Sequence, residues 1–117
     1  IHFVLTPSDQ ELARLYQQAM LYLFPSKCEG FGLPPLEAMS FGVPVLASER
    51  SCLPEILGKA AVYFNPEQAQ DMAQAMDRLF TDTKLQKQLI QNGYEQIKKY
   101  SWSTMAKQTL QIYQTCV

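Results

Sequence analysis

Four short apolar runs alternate with stretches of helical periodicity, and that order leaves few folds open to the chain. The runs are Ile1–Leu5, Leu21–Phe24, Val43–Ala47 and Ala61–Phe64. Each has the length and the apolar, β-branched or aromatic content of a strand. Leu21–Phe24 does not alternate apolar with polar residues, so it predicts a strand buried on both faces, as in a parallel sheet. Pro44 belongs near the start of its strand.

The segments between the runs predict helices. Leu12, Leu15, Tyr16 and Ala19 recur at i, i+3, i+4 and i+7, one face of a helix ending near Met20. Ser8 or Asp9 can cap its start, with Glu11 in its first turn. Pro34 and Pro35 fit the first turn of a second helix, expected over Leu36–Phe41 and stopped by Gly42. Ser48–Leu53 reads as a polar loop, and Pro54–Gly58 as one or two helical turns. From Glu67 onward three helical stripes follow: Met72, Ala75, Met76, Leu79 and Phe80; then Leu85, Leu89, Ile90, Tyr94 and Ile97; then Trp102, Met105, Ala106, Leu110 and Tyr113. Asp82 or Thr83 separates the first two, and Ser101 caps the third. These stripes predict core, with Trp102 a packing anchor. Alternating strands and helices predict an α/β domain, a parallel sheet with flanking helices. Ligands in such sheets sit at the carboxyl ends of strands.

At 117 residues the chain fits one domain. A composition of 47% hydrophobic and 18% charged residues excludes disorder and low-complexity scaffolds. No apolar run approaches the roughly 18 residues of a membrane span, and no signal peptide opens the chain. A net charge of −1 argues against nucleic acid as a partner. The charge is uneven: residues 83–117 hold five Lys and one acidic residue, Glu95. A solvated helical face explains this, with weak peripheral attraction to an anionic membrane surface as the alternative. Three Cys, at 28, 52 and 116, form no C-x-x-C pair, so neither a disulfide framework nor a zinc site is expected. Free thiols suit a cytoplasmic compartment, and Cys28 reads as a small buried or half-buried filler, with a reactive thiol as the alternative. His2, the one histidine, reads as structural, on the first strand. A start at Ile1, inside a run that reads as a strand, suggests a piece of a longer protein.

Residues 25–37, Pro-Ser-Lys-Cys-Glu-Gly-Phe-Gly-Leu-Pro-Pro-Leu-Glu, carry the most chemistry. A strand delivers the chain to the sheet edge, Gly30 and Gly32 let the backbone turn and approach a ligand, and a helix begins. Free N–H groups at a helix start form an anion site suited to a diphosphate. Since Pro34 and Pro35 donate nothing, the usable donors are Phe31, Gly32 and Leu33. Glu29 and Glu37 flank this cradle, Glu29 in the loop and Glu37 in the first turn of the helix. Each carboxylate can accept from a sugar or ribose diol. The competing reading is a tight turn plus an acid satisfying the helix dipole.

The segment Glu-Gly-Phe-Gly-Leu-Pro-Pro-Leu-Glu-Ala-Met resembles the E-x7-E segment of the retaining, GT-B-fold glycosyltransferases of family 4, or group 1. Similar flanks are Asp9–Leu12 with Leu15-Tyr16, Gly42–Ser48, Leu53–Ile56 and Ser101-Trp102, in order along almost the whole chain. The resemblance implies a Rossmann-like sheet, the C-terminal, nucleotide-sugar-binding half of a GT-B fold, with residues 1–117 a partial domain truncated at its N-terminus. It implies transfer of a sugar from a nucleotide-diphosphate sugar to an acceptor hydroxyl, with no catalytic metal and no cofactor. Glu29 matches the glutamate that contacts the donor sugar near the reacting centre, and is the catalytic candidate. Glu37 matches the one that holds the ribose. Gly30 lies within the same donor-binding loop, and Phe31, Gly32 and Leu33 match the backbone donors to the diphosphate and sugar. The family's diphosphate-clamping Arg and Lys lie upstream of Ile1, and Lys27 matches neither. The N-terminal acceptor-binding domain is a missing partner, so the chain alone is expected to be inactive. A non-catalytic nucleotide-sugar binding module, or one subunit of a split transferase, is the alternative; a bare interaction domain is a third.

Overall fold

The structure is a computed structural model that describes residues 1–116. It contains a three-stranded parallel sheet in the order β1-β2-β3, built from β1 (Tyr22–Phe24), β2 (Val45–Ser48) and β3 (Ala61–Phe64). The helices are α1 (Asp9–Gln18), α2 (Leu33–Ser40), α3 (Leu53–Leu57), α4 (Ala69–Thr81), α5 (Thr83–Ile97) and α6 (Trp102–Thr115), with a 3-10 turn at Gly58–Ala60. The expected α/β architecture is therefore present.

Alternation along the strands sends neighbouring side chains to opposite faces. Tyr22, Phe24, Val45, Ala47, Ala61 and Tyr63 pack with Tyr16, Leu36, Met39, Leu53 and Leu57 on the face covered by α1, α2 and α3. Leu23, Leu46, Val62 and Phe64 pack with Met72, Met76, Leu79, Leu85 and Leu89 on the face covered by α4 and α5. Burial on both faces belongs to β2, whose four residues are all buried. β1 is only half-buried, a correction to the expectation for Leu21–Phe24, because it pairs on one side and forms a sheet edge.

Helix ends follow the sequence signals closely. Ser8 caps α1 in a capping box: its hydroxyl accepts from the Glu11 N–H, and the Glu11 carboxylate accepts from the Ser8 N–H at 2.9 Å. The Ser8 N–H and the Ser8 hydroxyl both donate to that carboxylate and lower its pKa. Asp82 caps α5 through Leu85 N–H at 2.9 Å, and Ser101 caps α6. Gly42, at φ +72°, ends α2 in a Schellman motif, with Val43 N–H bonded to Ala38 O and Gly42 N–H to Met39 O.

Several expectations fail. Ile1–Leu5 forms no strand, and His2 is not on one. Ile1, Phe3 and Leu5 are 84% exposed or more, because a β pattern becomes a strand only by pairing, and the chain turns away at Thr6, φ +51°. α2 begins at Leu33 rather than Leu36, which moves Glu37 from the first turn to the second. Ser48 is not loop but the fully buried end of β2. The apolar face of α6 is not core: none of its residues is buried, and Trp102 is 72% exposed. Periodicity makes that helix amphipathic, but no other element among the described residues covers the face. Cys28 is also exposed rather than half-buried. No helix is long and apolar enough to cross a membrane among the described residues.

Candidate donor site

The carboxyl end of β1 opens into the loop that carries Glu29 and Gly30 and closes at Gly32, the N-cap of α2. The two glycines do different work. Gly32 sits at φ +90°, and a Cβ there would stand 2.7 Å from Leu53 Cδ2, so the fold itself demands glycine. Gly30 has no left-handed backbone, and a Cβ on it would meet nothing within 4 Å. The close turn is therefore Gly32's alone, and Gly30 faces open space.

Among the described residues, the N–H groups of Phe31, Gly32 and Leu33 find no acceptor outside the helix ladder. With prolines at the next two positions, α2 presents a short row of unused donors at its positive end. Phe31 packs edge-on against Tyr100, ring centroids 5.3 Å apart, and the Tyr100 hydroxyl donates to Ile56 O at 2.8 Å. The aromatic end of the cradle is thus tied to α3.

Glu37 lies on the exposed face of α2, its Oε2 accepting from the Tyr16 hydroxyl at 3.3 Å. Tyr16 is buried and stacks on Phe41 with ring centroids 5.4 Å apart. Burial raises its phenol well above the ordinary range, with the charges of Tyr22 and Glu37 adding to the effect. Tyr16 therefore stays a neutral donor that orients the Glu37 carboxylate. Sequence periodicity placed Tyr16 on the inward face of α1; its hydroxyl, which must find a partner when buried, was the unused signal.

The Glu29 side chain is half-buried and has no partner in hydrogen bonding among the described residues. Its backbone is held from the loop after β2, where the Ser51 hydroxyl accepts from Glu29 N–H and donates to Glu29 O. The sequence marks this loop as polar but gives no sign of its hold on Glu29. A cavity of about 590 Å³ opens between α2 and α6, lined by Phe31, Leu33, Leu36, Glu37, Tyr100, Trp102 and Met105 among others. It brings together Glu37, Phe31 and Leu33 but not Glu29, Gly30 or Gly32, which stand beside it at the loop.

Other polar side chains near the loop take structural places. Ser26 donates to Cys28 O at 3.4 Å, and Ser48 accepts from Arg50 N–H at 3.1 Å. Lys27 lies 3.7 Å from Glu67, both side chains being well exposed, and such a pair contributes little.

The profile of the family described as glycosyl transferases, group 1, matches residues 1–96. The chain belongs to that family. It is 40% identical over 99 residues to a serotype-specific mannosyltransferase of Escherichia coli, covering 85% of this chain and 12% of that protein. It is 33% identical over 114 residues to an MMP alpha-(1->4)-mannosyltransferase of Mycolicibacterium hassiacum, covering 94% of this chain and 28% of that protein. The crystal structure of a C-terminal domain of a group 1 glycosyl transferase from Francisella tularensis superposes with a TM-score of 0.71 at 32% identity, covering 85% of this chain and 51% of that one. The chain thus corresponds to part of the C-terminal half of a GT-B fold, and it spans only 12% and 28% of the two mannosyltransferases.

Proposed function

We propose that this group 1 domain binds the nucleotide-diphosphate sugar donor of a retaining glycosyltransferase. The observation that carries the reading is the row of unbonded N–H groups at Phe31, Gly32 and Leu33, with Glu37 beside it. The N–H row receives the diphosphate, and its dipole stabilises the charge that grows on the leaving group as the glycosidic bond breaks. Glu37, aimed by Tyr16, accepts from the ribose hydroxyls. Glu29 accepts from hydroxyls of the sugar near the reacting carbon. Gly30 leaves room for the donor to approach. No metal or cofactor enters this scheme. Mannose is the first sugar to try, since both relatives described above are named as mannosyltransferases.

The acceptor binds on a second, N-terminal domain, so the 117-residue chain binds donor weakly and transfers nothing alone. On this proposal the protein works in the cytoplasm, in polysaccharide or lipid-linked glycan assembly, with any membrane association peripheral and through its lysines.

Titration of the chain with GDP and UDP, followed by NMR, tests the site. Glu37→Ala is expected to weaken the preferred nucleotide about tenfold or more, the loss of charged hydrogen bonds to a diol, with an unchanged melting temperature. Unchanged affinity refutes the site, as does a loss explained by unfolding. Turnover of GDP-mannose by the isolated chain would overturn the fragment reading, whereas turnover only after fusion to an acceptor-binding domain supports it.

A further inference from the structure

The loop that follows β2 reaches across the site and grips the backbone of Glu29. Ser51 Oγ donates to Glu29 O at 2.8 Å and accepts from Glu29 N–H at 3.3 Å. Cys52 Sγ donates to the same carbonyl oxygen at 3.3 Å. One hydroxyl thus closes on both backbone groups of a residue 22 positions away, and the neighbouring thiol adds a third hold. A two-point bond fixes orientation as well as distance, which a single bond does not.

The rest of the surroundings make this grip decisive for Glu29. Residues 25–32 form no regular structure between β1 and α2, and within the loop only the weak Ser26 to Cys28 bond, 3.4 Å, stiffens it. The gripping loop is itself well rooted. Glu49 N–H bonds to Phe64 O at 3.0 Å, Arg50 N–H bonds to Ser48 Oγ, and Leu53 is fully buried. Ser51 adopts φ +57°, a left-handed backbone that glycine or asparagine takes more readily. The position therefore carries strain together with a hydroxyl that only serine's short side chain places between the two backbone groups.

We infer that Ser51 is a positioning residue that aims the Glu29 carboxylate at the donor's sugar. The inference rests on the reading of Glu29 as the sugar-contacting glutamate. Its mark is a separation between two affinities. The diphosphate is received by the N–H groups of Phe31, Gly32 and Leu33, none of which Ser51 bonds, so loss of the hydroxyl should weaken recognition of the sugar and spare recognition of the nucleotide.

The test uses the 117-residue chain, its Ser51→Gly and Ser51→Asn variants, and Glu29→Gln as a control. Each is titrated with GDP-mannose against GDP, and with UDP-glucose against UDP, and the ratio of the two dissociation constants gives the sugar's contribution. Amide exchange at Glu29 and the melting temperature are read on the same samples. Both Ser51 variants are expected to lower the sugar's contribution about fivefold or more while the diphosphate alone binds within about twofold of wild type. The Glu29 amide should exchange about tenfold faster or more. Ser51→Gly should melt no lower than wild type, because the backbone strain is relieved, so a general loss of stability cannot imitate the result. If Glu29→Gln removes the sugar's contribution and the Ser51 variants keep it, this inference falls and the donor-site reading stands. It falls equally if nucleotide and sugar recognition decline together. If wild type shows no sugar contribution, or Glu29→Gln retains it, the assignment of Glu29 fails, and the role of Ser51 fails with it.

Discussion

Gly32→Ala is the sharpest test of how the cradle is built. Two costs add at that position. An L-residue at φ +90° carries roughly 1–2 kcal/mol of backbone strain. The new Cβ would also lie 2.7 Å from Leu53 Cδ2, where ordinary contact begins at 3.4 Å, so the leucine must retreat by several tenths of an ångström. Leu53 is fully buried in the core of the α1–α3 face, so its retreat must displace packed neighbours. Overpacking of that kind costs about 1–3 kcal/mol. The sum, about 2–5 kcal/mol, is a large part of the stability of a domain this size. Urea denaturation of four proteins separates the two parts: wild type, Gly32→Ala, Leu53→Val and the double variant. Valine lacks the Cδ atoms, and alone costs about 1 kcal/mol for the lost methylene. In the Leu53→Val background Gly32→Ala should cost only the backbone part, about 1–2 kcal/mol. The reasoning is refuted if Gly32→Ala costs less than about 0.5 kcal/mol, the ordinary scatter of a neutral substitution. It is refuted in its steric part if the cost is the same in both backgrounds.

Two further outcomes follow from the core. Burial, with Tyr100 adding, raises the Tyr63 phenol to about 12, against about 10 in an unfolded chain. The folded state therefore keeps its proton longer, and stability present below pH 10 is lost as pH climbs toward 12. Melting temperatures taken from pH 8 to 12 should fall, and Tyr63→Phe should flatten the fall while lowering the plateau through loss of the 2.7 Å bond to Gly58 O; parallel curves would contradict this. Phe64→Ala should cost about 3–5 kcal/mol, since Phe64 is 1% exposed where the sheet meets α4 and α5; a cost under about 1 kcal/mol would mean that face is loosely packed.

Much of this was legible in residues 6–101. Ala61–Phe64 forms its strand with the expected bounds, and Ser8, Gly42, Asp82 and Ser101 sit at the helix ends their chemistry favours. Such signals are local: a cap or a turn residue acts on backbone groups a few positions away. The strand Ile1–Leu5 and the buried face of α6 were misjudged because both depend on a partner, and no apolar pattern says whether one is present. Glu37 moved to the second turn because α2 starts at Leu33, ahead of its two prolines.

The site divides along the same line. The chain's order of residues determined that Gly32, Leu33 and two prolines stand where a strand meets a helix, and so that unpaired donors and two carboxylates gather there. Only the tertiary structure decided what holds them. Tyr16 is 21 positions from Glu37, and Ser51 is 22 from Glu29. Those pairings arise because parallel β1 and β2 bring α1, α2 and the loop after β2 to one side of the sheet. A hydrogen bond between residues so far apart leaves no trace in local pattern, since its geometry exists only once the strands are in register.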